Sequence, residues 1–454
     1  MNRARIIPGE SLRGFDRHLL ARLGEHLSRI GATGYLVGGS VRDLLLGRSP
    51  FDLDIVVANC APIAIARWIH KEFGLSRPVR FPRFGTYHLV GEEVEVEIAR
   101  LMDGPDEDAS RRDFTINCLY VDLVHYSRTG RLEILDPTGY GIDDLEHARL
   151  RTPSEPALSF WLDPLRLIRA IRFRAVFGMK IDAGLRHEIA RMAYLVSQPA
   201  RERIRAELER ILTSSRVGSA LRLMQTTGLL RVILPEVDRM VGFSQRSPYH
   251  AYDLFEHTVR TVSNVPPDLV LRLSALLHDT GKIETCRRLA DRNVYYGHEE
   301  ASARIAESVL RRLRFSNQII ARVTFLVANH MVNYSRSWSD RAVRRFMRKM
   351  GDKLDQMLIL LYADRRAQTP SGATASNITD LRRRVAALSK LVHDVLRLPI
   401  DGHEIMRILN IGEGPLVGLA KQYLYNVSEN LGRPLSEDDC RRLLKEWARR
   451  VLKQ

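Results

Sequence analysis

Between residues 31 and 150 the apolar positions gather in short runs: Tyr35 to Val37, Leu53 to Val57, Tyr87 to Val90, Val94 to Ile98 and Leu119 to Leu123. Gly-Gly, Pro and Asp turns punctuate them. Short β-rich runs bounded by turn residues predict strands, so this segment is expected to be mixed α/β and to hold the only convincing sheet. From about residue 155 the period changes. Leu165, Leu167, Ile168 and Ile171 follow helical spacing and strand signals almost vanish, which predicts an all-helical remainder. Breaks at Leu234-Pro235, Ser247-Pro248 and Leu398-Pro399 suggest boundaries, and no repeat of solenoid period is present. The expected class is α+β, with a small mixed α/β head at 25–150, a helical neck at 151–240, a further helical domain at 241–395 and a helical tail at 396–454.

Composition changes this picture little. At 454 residues the chain exceeds the size at which a single core keeps growing, and 45% apolar with 27% charged residues is ordinary for a folded protein. Charge says more. Lysine plus arginine exceeds aspartate plus glutamate by 70 − 54 = 16, a positive field suited to RNA or nucleotides. A basic membrane-surface protein would add a long amphipathic or apolar anchor, and the longest apolar stretches, such as Met357 to Tyr362, are far too short to span a bilayer. No membrane partner is expected. The cysteines Cys60, Cys118, Cys286 and Cys440 lie far apart and form no CxxC, so neither a zinc site nor a disulfide framework is indicated. Glu10 and Asp16 interrupt the N-terminal arginines and no apolar h-region follows, which argues against a secretory signal. A cytoplasmic location is expected, and the pattern carries no signal of oligomeric state.

The candidate chemistry begins at Gly34-Tyr-Leu-Val-Gly-Gly-Ser-Val-Arg-Asp43, which reads as strand, Gly-Gly turn and helix. Glycines there let backbone N–H groups approach a phosphate at a helix N-terminus. Phe51-Asp-Leu-Asp-Ile-Val56 then sets Asp52 and Asp54 two apart in an apolar strand, and the period of two points both carboxylates to one face. Two divalent ions held there suit nucleotidyl transfer, one activating the attacking 3′-hydroxyl and the other steadying the triphosphate and leaving pyrophosphate. A third carboxylate on a neighbouring strand completes such a site. Glu97 is the first choice, and Glu95, on the same face, the second. A lone DxD is ordinarily a solvated strand edge. Here it is followed by Arg111-Arg-Asp-Phe-Thr-Ile-Asn117 and Asp136-Pro-Thr-Gly139 in one order over about a hundred residues.

That ordered set resembles the class II tRNA nucleotidyltransferase and bacterial poly(A) polymerase family of the polymerase β-like superfamily, over roughly residues 25 to 240. The resemblance implies that Asp52 and Asp54 bind metal, that Gly38, Gly39, Arg42 and Asp43 contact the triphosphate, and that Arg111, Arg112, Asp113 and Asn117 hold the ribose and phosphates. It implies Mg2+ in the head, CTP and ATP as nucleotides, and the tRNA acceptor end as partner.

In Phe160-Trp-Leu-Asp-Pro-Leu-Arg-Leu-Ile-Arg-Ala-Ile-Arg-Phe-Arg174, Asp163 and Arg166 stand three apart on one predicted helix face. Asp163 can accept from the exocyclic amine of C or A while Arg166 donates to the adjacent ring acceptor; uracil and guanine offer a carbonyl instead. Asp163 before Pro164 is equally an N-cap followed by proline at the first helical position. Arg166, Arg169 and Arg172 would ordinarily be a solvated stripe, though such a face also suits phosphate. The stretch resembles the family's Glu-Asp-x-x-Arg nucleotide-selecting motif, with Leu162 in place of glutamate. Only thirteen residues separate Glu97 from Arg111. Full CCA-adding members carry a longer segment with a flexible loop, so the resemblance implies a C-adding enzyme. Arg201-Glu-Arg-Ile-Arg-Ala-Glu-Leu208 is similar to the family's neck helix.

His257, His278-Asp279, His298, His330 and Asp364 follow on predicted helices. Imidazole and carboxylate ligands suit Mn, Fe, Ni, Co or Mg without choosing among them. The order resembles an HD phosphohydrolase domain over about 245 to 370, strengthened by His278-Asp-Thr-Gly-Lys282 and Gly297-His-Glu-Glu300. An active site of this kind would hydrolyse a phosphoester, such as a 2′,3′-cyclic phosphate or 3′-phosphate on damaged RNA ends. The last segment resembles the family's body and tail, which grip the acceptor arm. The expected function is therefore tRNA 3′-end addition of C (CC, or full CCA) from CTP and ATP without a nucleic-acid template. The alternatives are a poly(A) polymerase, or an HD phosphohydrolase with a vestigial transferase head.

Overall fold

The computed structural model describes residues 5–50, 52–81, 85–246, 251–290, 292–369, 375–395, 398–431 and 433–451. Phe51 and the Ser247-Pro248 break lie outside the described residues. The chain divides into two compact units, 1–235 and 236–454.

The first unit is built on an eight-stranded sheet: β1 (Arg5–Pro8), β2 (Thr33–Val37), β3 (Asp52–Ala58), β4 (Val79–Phe81), β5 (Thr86–Val90), β6 (Glu95–Arg100), β7 (Tyr120–Asp122) and β8 (Arg131–Leu135). Its order is β1-β8-β7-β2-β3-β6-β5-β4, and β3 with β6 is the parallel pair. The five expected strands are all present, and β1, β4 and β8 add to them. Upstream of residue 25, β1 pairs with β8 and the helix Gly14–Arg29 covers the sheet, so the head layer starts earlier than the apolar runs suggested. That helix buries Leu19, Leu20, Leu23 and Leu27 with Ile65 and Ile69 of the helix Pro62–Phe73 against Leu36, Leu53, Ile55, Val57, Leu89, Val96 and Ile98. Burial of that many aliphatic side chains, at about 1.5–3 kcal/mol each, is the main force holding this layer together. Gly24 allows the close crossing with the helix Leu123–Thr129, since a Cβ there would sit 2.0 Å from the Leu123 carbonyl oxygen.

One consequence matters for function. Because Leu53, Ile55 and Val57 of β3 all turn into the helix-covered core, the pleat sends Asp52 and Asp54 to the opposite face. The neck continues in the same unit as helices, among them Pro156–Leu162, Leu165–Phe177, Ala183–Met192, Arg201–Leu212 and Val217–Thr226.

The second unit is helical apart from one small departure from expectation, an antiparallel pairing of Arg287–Arg288 with Asn293–Val294. Two residues per strand are too few to show an alternating pattern in sequence. Toward the C-terminus, Ile400, Ile405, Leu424, Leu444 and Trp447 form a core of their own. Among the described residues no helix is long and apolar enough to cross a membrane.

Candidate functional site

The head site grows from two neighbouring strand ends. In the parallel β3/β6 register Asp52 lies beside Glu95 and Asp54 beside Glu97. Residues in register across a sheet share a face, so all four carboxylates lie on the side away from the core. Burial and the Glu97 carboxylate push the Asp54 carboxyl up to about 6, with Asp52 adding to the effect and Arg112 and Arg42 opposing it. Crowded acidic groups on a half-buried surface are electrostatically strained without a counter-charge, and that strain fits a divalent cation.

The Gly-Gly turn meets this edge from β2. Gly38 has φ +68° and ψ −128°, a region closed to L side chains. A Cβ there would lie 3.0 Å from Arg112 Nη1 and 3.3 Å from Asp54 Oδ2. Ser40, not singled out by the sequence pattern, ties the turn to the acidic strand. Its hydroxyl donates to the Asp52 carbonyl at 2.8 Å and accepts from the Asp54 N–H at 2.9 Å. Arg42 is buried, donates to Asn117 Oδ1 at 2.7 Å and Asp43 Oδ1 at 2.9 Å, and lies over the Phe177 ring.

The Arg111–Asn117 segment is held equally firmly. Arg112 Nε donates to Asp108 Oδ2 and to the Tyr120 hydroxyl, each at 2.9 Å, and Tyr120 donates to Asp108 at 2.6 Å. Arg111 stays exposed, paired with Glu107 at 2.8 Å. Asp113 accepts from Asn117 Nδ2 and the Phe114 N–H and pairs with Arg169 at 2.6 Å. Burial would raise its carboxyl, but Arg169, Asn117 and Phe114 outweigh burial and hold it down to about 2. Direct hydrogen bonds thus join Arg42, Asn117 and Asp113, while Arg112 and Asp54 flank the Gly38 turn, where a Cβ would come within 3.3 Å of each. Asp108 and Tyr120 were missed because neither belongs to a motif.

In the neck, Asp163 has extended dihedrals and the helix begins at Leu165. The capping contact survives one position displaced: Asp163 Oδ1 accepts from the Leu165 N–H at 3.2 Å, with Pro164 as the cap residue. Asp163 Oδ2 pairs with Arg203 at 3.1 Å. Arg166 does not lie beside Asp163 on an open face. It is buried, donating to Ser159 Oγ at 2.7 Å and to the Arg111 carbonyl. Nor is the arginine series a solvated stripe: Arg169 reaches Asp113 of the head, and buried Arg172 pairs with Glu207 at 3.1 Å. Ser159 and Arg203 are further contributors without a sequence signal of their own.

The second unit gathers the six histidine and aspartate residues. His257 lies within the helix Leu254–Asn264, His278 caps Leu269–Leu277 with Asp279 next, His298 opens His298–Arg312, and Asp364 belongs to Leu354–Ala367. His278, Asp279 and His330 depart from the expectation of helical positions, the first two following Leu269–Leu277 and His330 following Asn317–Ala328. All four histidines are buried. Asp279 Oδ2 faces His278 Nε2 at 3.1 Å and His257 Nε2 at 3.5 Å, while Oδ1 faces His298 Nε2 at 3.4 Å and His330 Nε2 at 3.6 Å. Asp364 lies 3.1 Å from His257 Nε2.

Nδ1 of His278, His298 and His330 each bonds a main-chain carbonyl, of Ala275, Tyr295 and Val327, at 2.7–2.8 Å. A neutral imidazole held this way keeps its proton on Nδ1 and turns the Nε2 lone pair inward, the arrangement of a metal ligand. Two groups, His257/His278/Asp279 and Asp279/His298/His330, offer ligand atoms all within 4.8 Å of one another. Lys282 pairs with Asp279 at 2.7 Å and bonds Gln245 at 3.0 Å. Burial would lower the His278 imidazolium, but Asp279 and Asp364 outweigh it and push it up to about 10, so a cation bound at Nε2 would have to displace that proton.

Comparison with known proteins finds domain matches over the regions that hold the two clusters. Residues 34–104 and 100–151 match the poly A polymerase head domain, 178–241 the probable RNA and SrmB-binding site of polymerase A, and 254–369 the HD domain. The head and HD families both imply use of divalent metal. A CC-adding tRNA nucleotidyltransferase of Thermus thermophilus is 32% identical over 425 residues, covering 90% of this chain and 93% of that protein. An A-adding tRNA nucleotidyltransferase of Deinococcus radiodurans is 30% identical over 428 residues, covering 91% and 95%. The Thermotoga maritima CCA-adding enzyme complexed with tRNA shares the fold, with TM-score 0.62 at 19% identity over 97% of this chain and 99% of that one. Identity of this extent, carried across nine tenths of both chains, places the protein: it belongs to the tRNA nucleotidyltransferase and poly(A) polymerase family, with an HD domain following the transferase unit.

Proposed function

We propose that the protein adds C residues to the 3′ end of tRNA in the cytoplasm, using CTP, with CC as its product and full CCA as the competing outcome. The transfer reading rests on one observation, the pairing of Asp54 with Glu97 across parallel strands at the Gly38-Gly39 turn. Asp52, Asp54 and Glu97 would hold Mg2+, which supplies charge neutralisation at the triphosphate and lowers the pKa of the attacking hydroxyl.

The chain's own residues then have distinct tasks. Gly38 and Gly39 leave backbone room for phosphate, and Arg42, braced by Asn117 and Asp43, provides a fixed positive charge. Arg112 and Asp113 orient the sugar and phosphates from a braced segment. Asp163 accepts from the cytosine amine and rejects uracil, which has a carbonyl there. Arg169, through Asp113, and Arg166, through the Arg111 carbonyl, brace the nucleotide pocket from the neck.

The C-only product is favoured by the connection from β6 to Arg111. It consists of the single short helix Gly104–Ser110, whose Glu107 and Asp108 pair with Arg111 and Arg112. Such a connection has little slack for a loop that switches base selection. A transfer assay with α-labelled CTP and tRNA lacking its 3′ CCA tests the activity. Label is expected to enter the RNA and to be lost in Asp52→Ala/Asp54→Ala; wild-type protein that transfers no label contradicts the proposal.

A second activity is favoured by the inward-facing histidine Nε2 atoms of the HD domain. His257, His278, Asp279, His298, His330 and Asp364 would hold a divalent ion, which would supply an activated water for phosphoester hydrolysis. The chain's Lys282, beside Asp279, brings a positive charge for the developing phosphate. A 2′,3′-cyclic phosphate or 3′-phosphate at a damaged tRNA end is the substrate class that links the two activities.

A further inference from the structure

The helix Asp340–Met350 differs from its neighbours in how fully its two faces are separated. Val343, Phe346 and Met350 are buried, with Trp338 packed edge-on against Phe346 at 6.3 Å. The opposite face is almost wholly cationic. Between 336 and 350 there are six basic residues, Arg336, Arg341, Arg344, Arg345, Arg348 and Lys349, against one acid, Asp340. That acid is already neutralised by Arg384 at 2.5 Å.

Arg341, Arg345 and Lys349 are exposed and stand at i, i+4 and i+8. None of the three makes an ion pair among the described residues, and the three stand in one row on the same helix. Uncompensated like charges repel each other by a few tenths of a kcal/mol per i,i+4 pair, a cost that a polyanion removes. Steps of four residues advance about 6 Å along the axis, commensurate with successive phosphates of one RNA strand. The apolar face is consumed by the core, so membrane insertion of this helix has no free surface to use.

We propose that this cationic face of the HD unit is an RNA-backbone contact that grips the tRNA outside its reacting 3′ end, independently of the HD metal ligands. The proposal rests on tRNA being the substrate of the head. It gives the HD unit a binding role alongside the hydrolytic one proposed above, and sequence-independent phosphate contacts of this kind suit an enzyme that must accept tRNAs of every sequence.

The test is fluorescence anisotropy of labelled tRNA lacking its 3′ CCA, titrated with full-length protein over a series of salt concentrations. For Arg341→Gln/Arg345→Gln/Lys349→Gln, Kd is expected to rise at least tenfold near physiological salt. The slope of log Kd against log salt is expected to fall by about two, since each phosphate contact contributes roughly 0.7–0.9. KM for tRNA rises in parallel, with kcat and KM for CTP unchanged. Arg341→Lys/Arg345→Lys keeps the charge and is expected to bind as wild type. Unchanged Kd and slope in the triple Gln variant would overturn the proposal, and so would equal weakening in the Lys variant, which indicates a structural role. The binding readout needs no transfer chemistry, so a protein that binds tRNA without incorporating CTP would count against the transferase reading alone.

Discussion

Ser40 does for the head site what no acidic residue can do for itself. Its one hydroxyl holds the Asp52 carbonyl and the Asp54 N–H at once, fixing the acidic strand against the Gly-Gly turn. Asp113 plays the corresponding part on the other side, joining Asn117, Phe114 and the neck's Arg169. Its carboxyl is held at about 2 against an ordinary 3.8. A folded pKa below the unfolded one means stability that is fully present above about pH 4 and is lost as pH falls toward 2. The shift corresponds to roughly 2 kcal/mol. Denaturant titrations from pH 6 to pH 2.5 are therefore expected to show wild type losing stability across that window, and Asp113→Asn starting lower and falling less steeply. At this scale Asp52 and Asp54 were legible, because strand alternation alone orients them. Ser40, Asp108 and Tyr120 were not: a serine after two glycines or a tyrosine in a strand is ordinary in sequence, and only the fold brings Ser40 to β3 and Tyr120 to Asp108 and Arg112.

Among elements, the helix Leu165–Phe177 carries the largest difference between pattern and packing. Three arginines spaced by three read as a wet stripe, yet Arg166 and Arg172 are buried and Arg169 crosses to the head. Buried guanidinium groups are tolerated only with carboxylate or carbonyl partners, and those come from Glu207, Asp113 and the Arg111 main chain, all distant in sequence. Arg203 of the helix Arg201–Leu212 orients Asp163 in the same way. Removing that partner leaves Asp163 present with a looser orientation, so Arg203→Gln is expected to reduce the preference for CTP over UTP by about tenfold, mostly through KM. Asp163→Ala is expected to reduce it further. Equal CTP and UTP parameters in wild type and Arg203→Gln would separate Asp163 from base choice. For β1 and β4, though not for the alternating Arg131–Leu135 strand, the reason they were missed in sequence is simple. Four residues in β1 and three exposed ones in β4 are too short for alternation to register, and β1 exists because β8 offers it an edge.

Over the whole molecule, two metal-suited centres belong to separate compact units, one of carboxylates on a sheet and one of imidazoles between helices. Because the ligand sets share no residue, His278→Ala/Asp279→Ala is expected to abolish phosphate release from a 2′,3′-cyclic phosphate end and leave CTP transfer within about twofold. Loss of both activities together, in a variant that retains its melting temperature, would contradict that independence. The division into a sheet-based head and a helical remainder was legible from the change of period near residue 155, and the HD ligands from their order. The small Arg287–Val294 hairpin and the position of His330 beyond its helix depend on local contacts that leave no period in sequence.

C addition at the tRNA 3′ end by the Asp52/Asp54 site is what every other proposed role depends on. The most direct measurement offers purified protein three tRNAs, ending at the discriminator base, at C and at CC, with CTP or ATP supplied separately. Extension of the first two by CTP up to CC is expected, with none of the third by ATP and none at all in Asp52→Ala/Asp54→Ala. Addition of A to the CC end, or many A residues added to unstructured RNA, would contradict it.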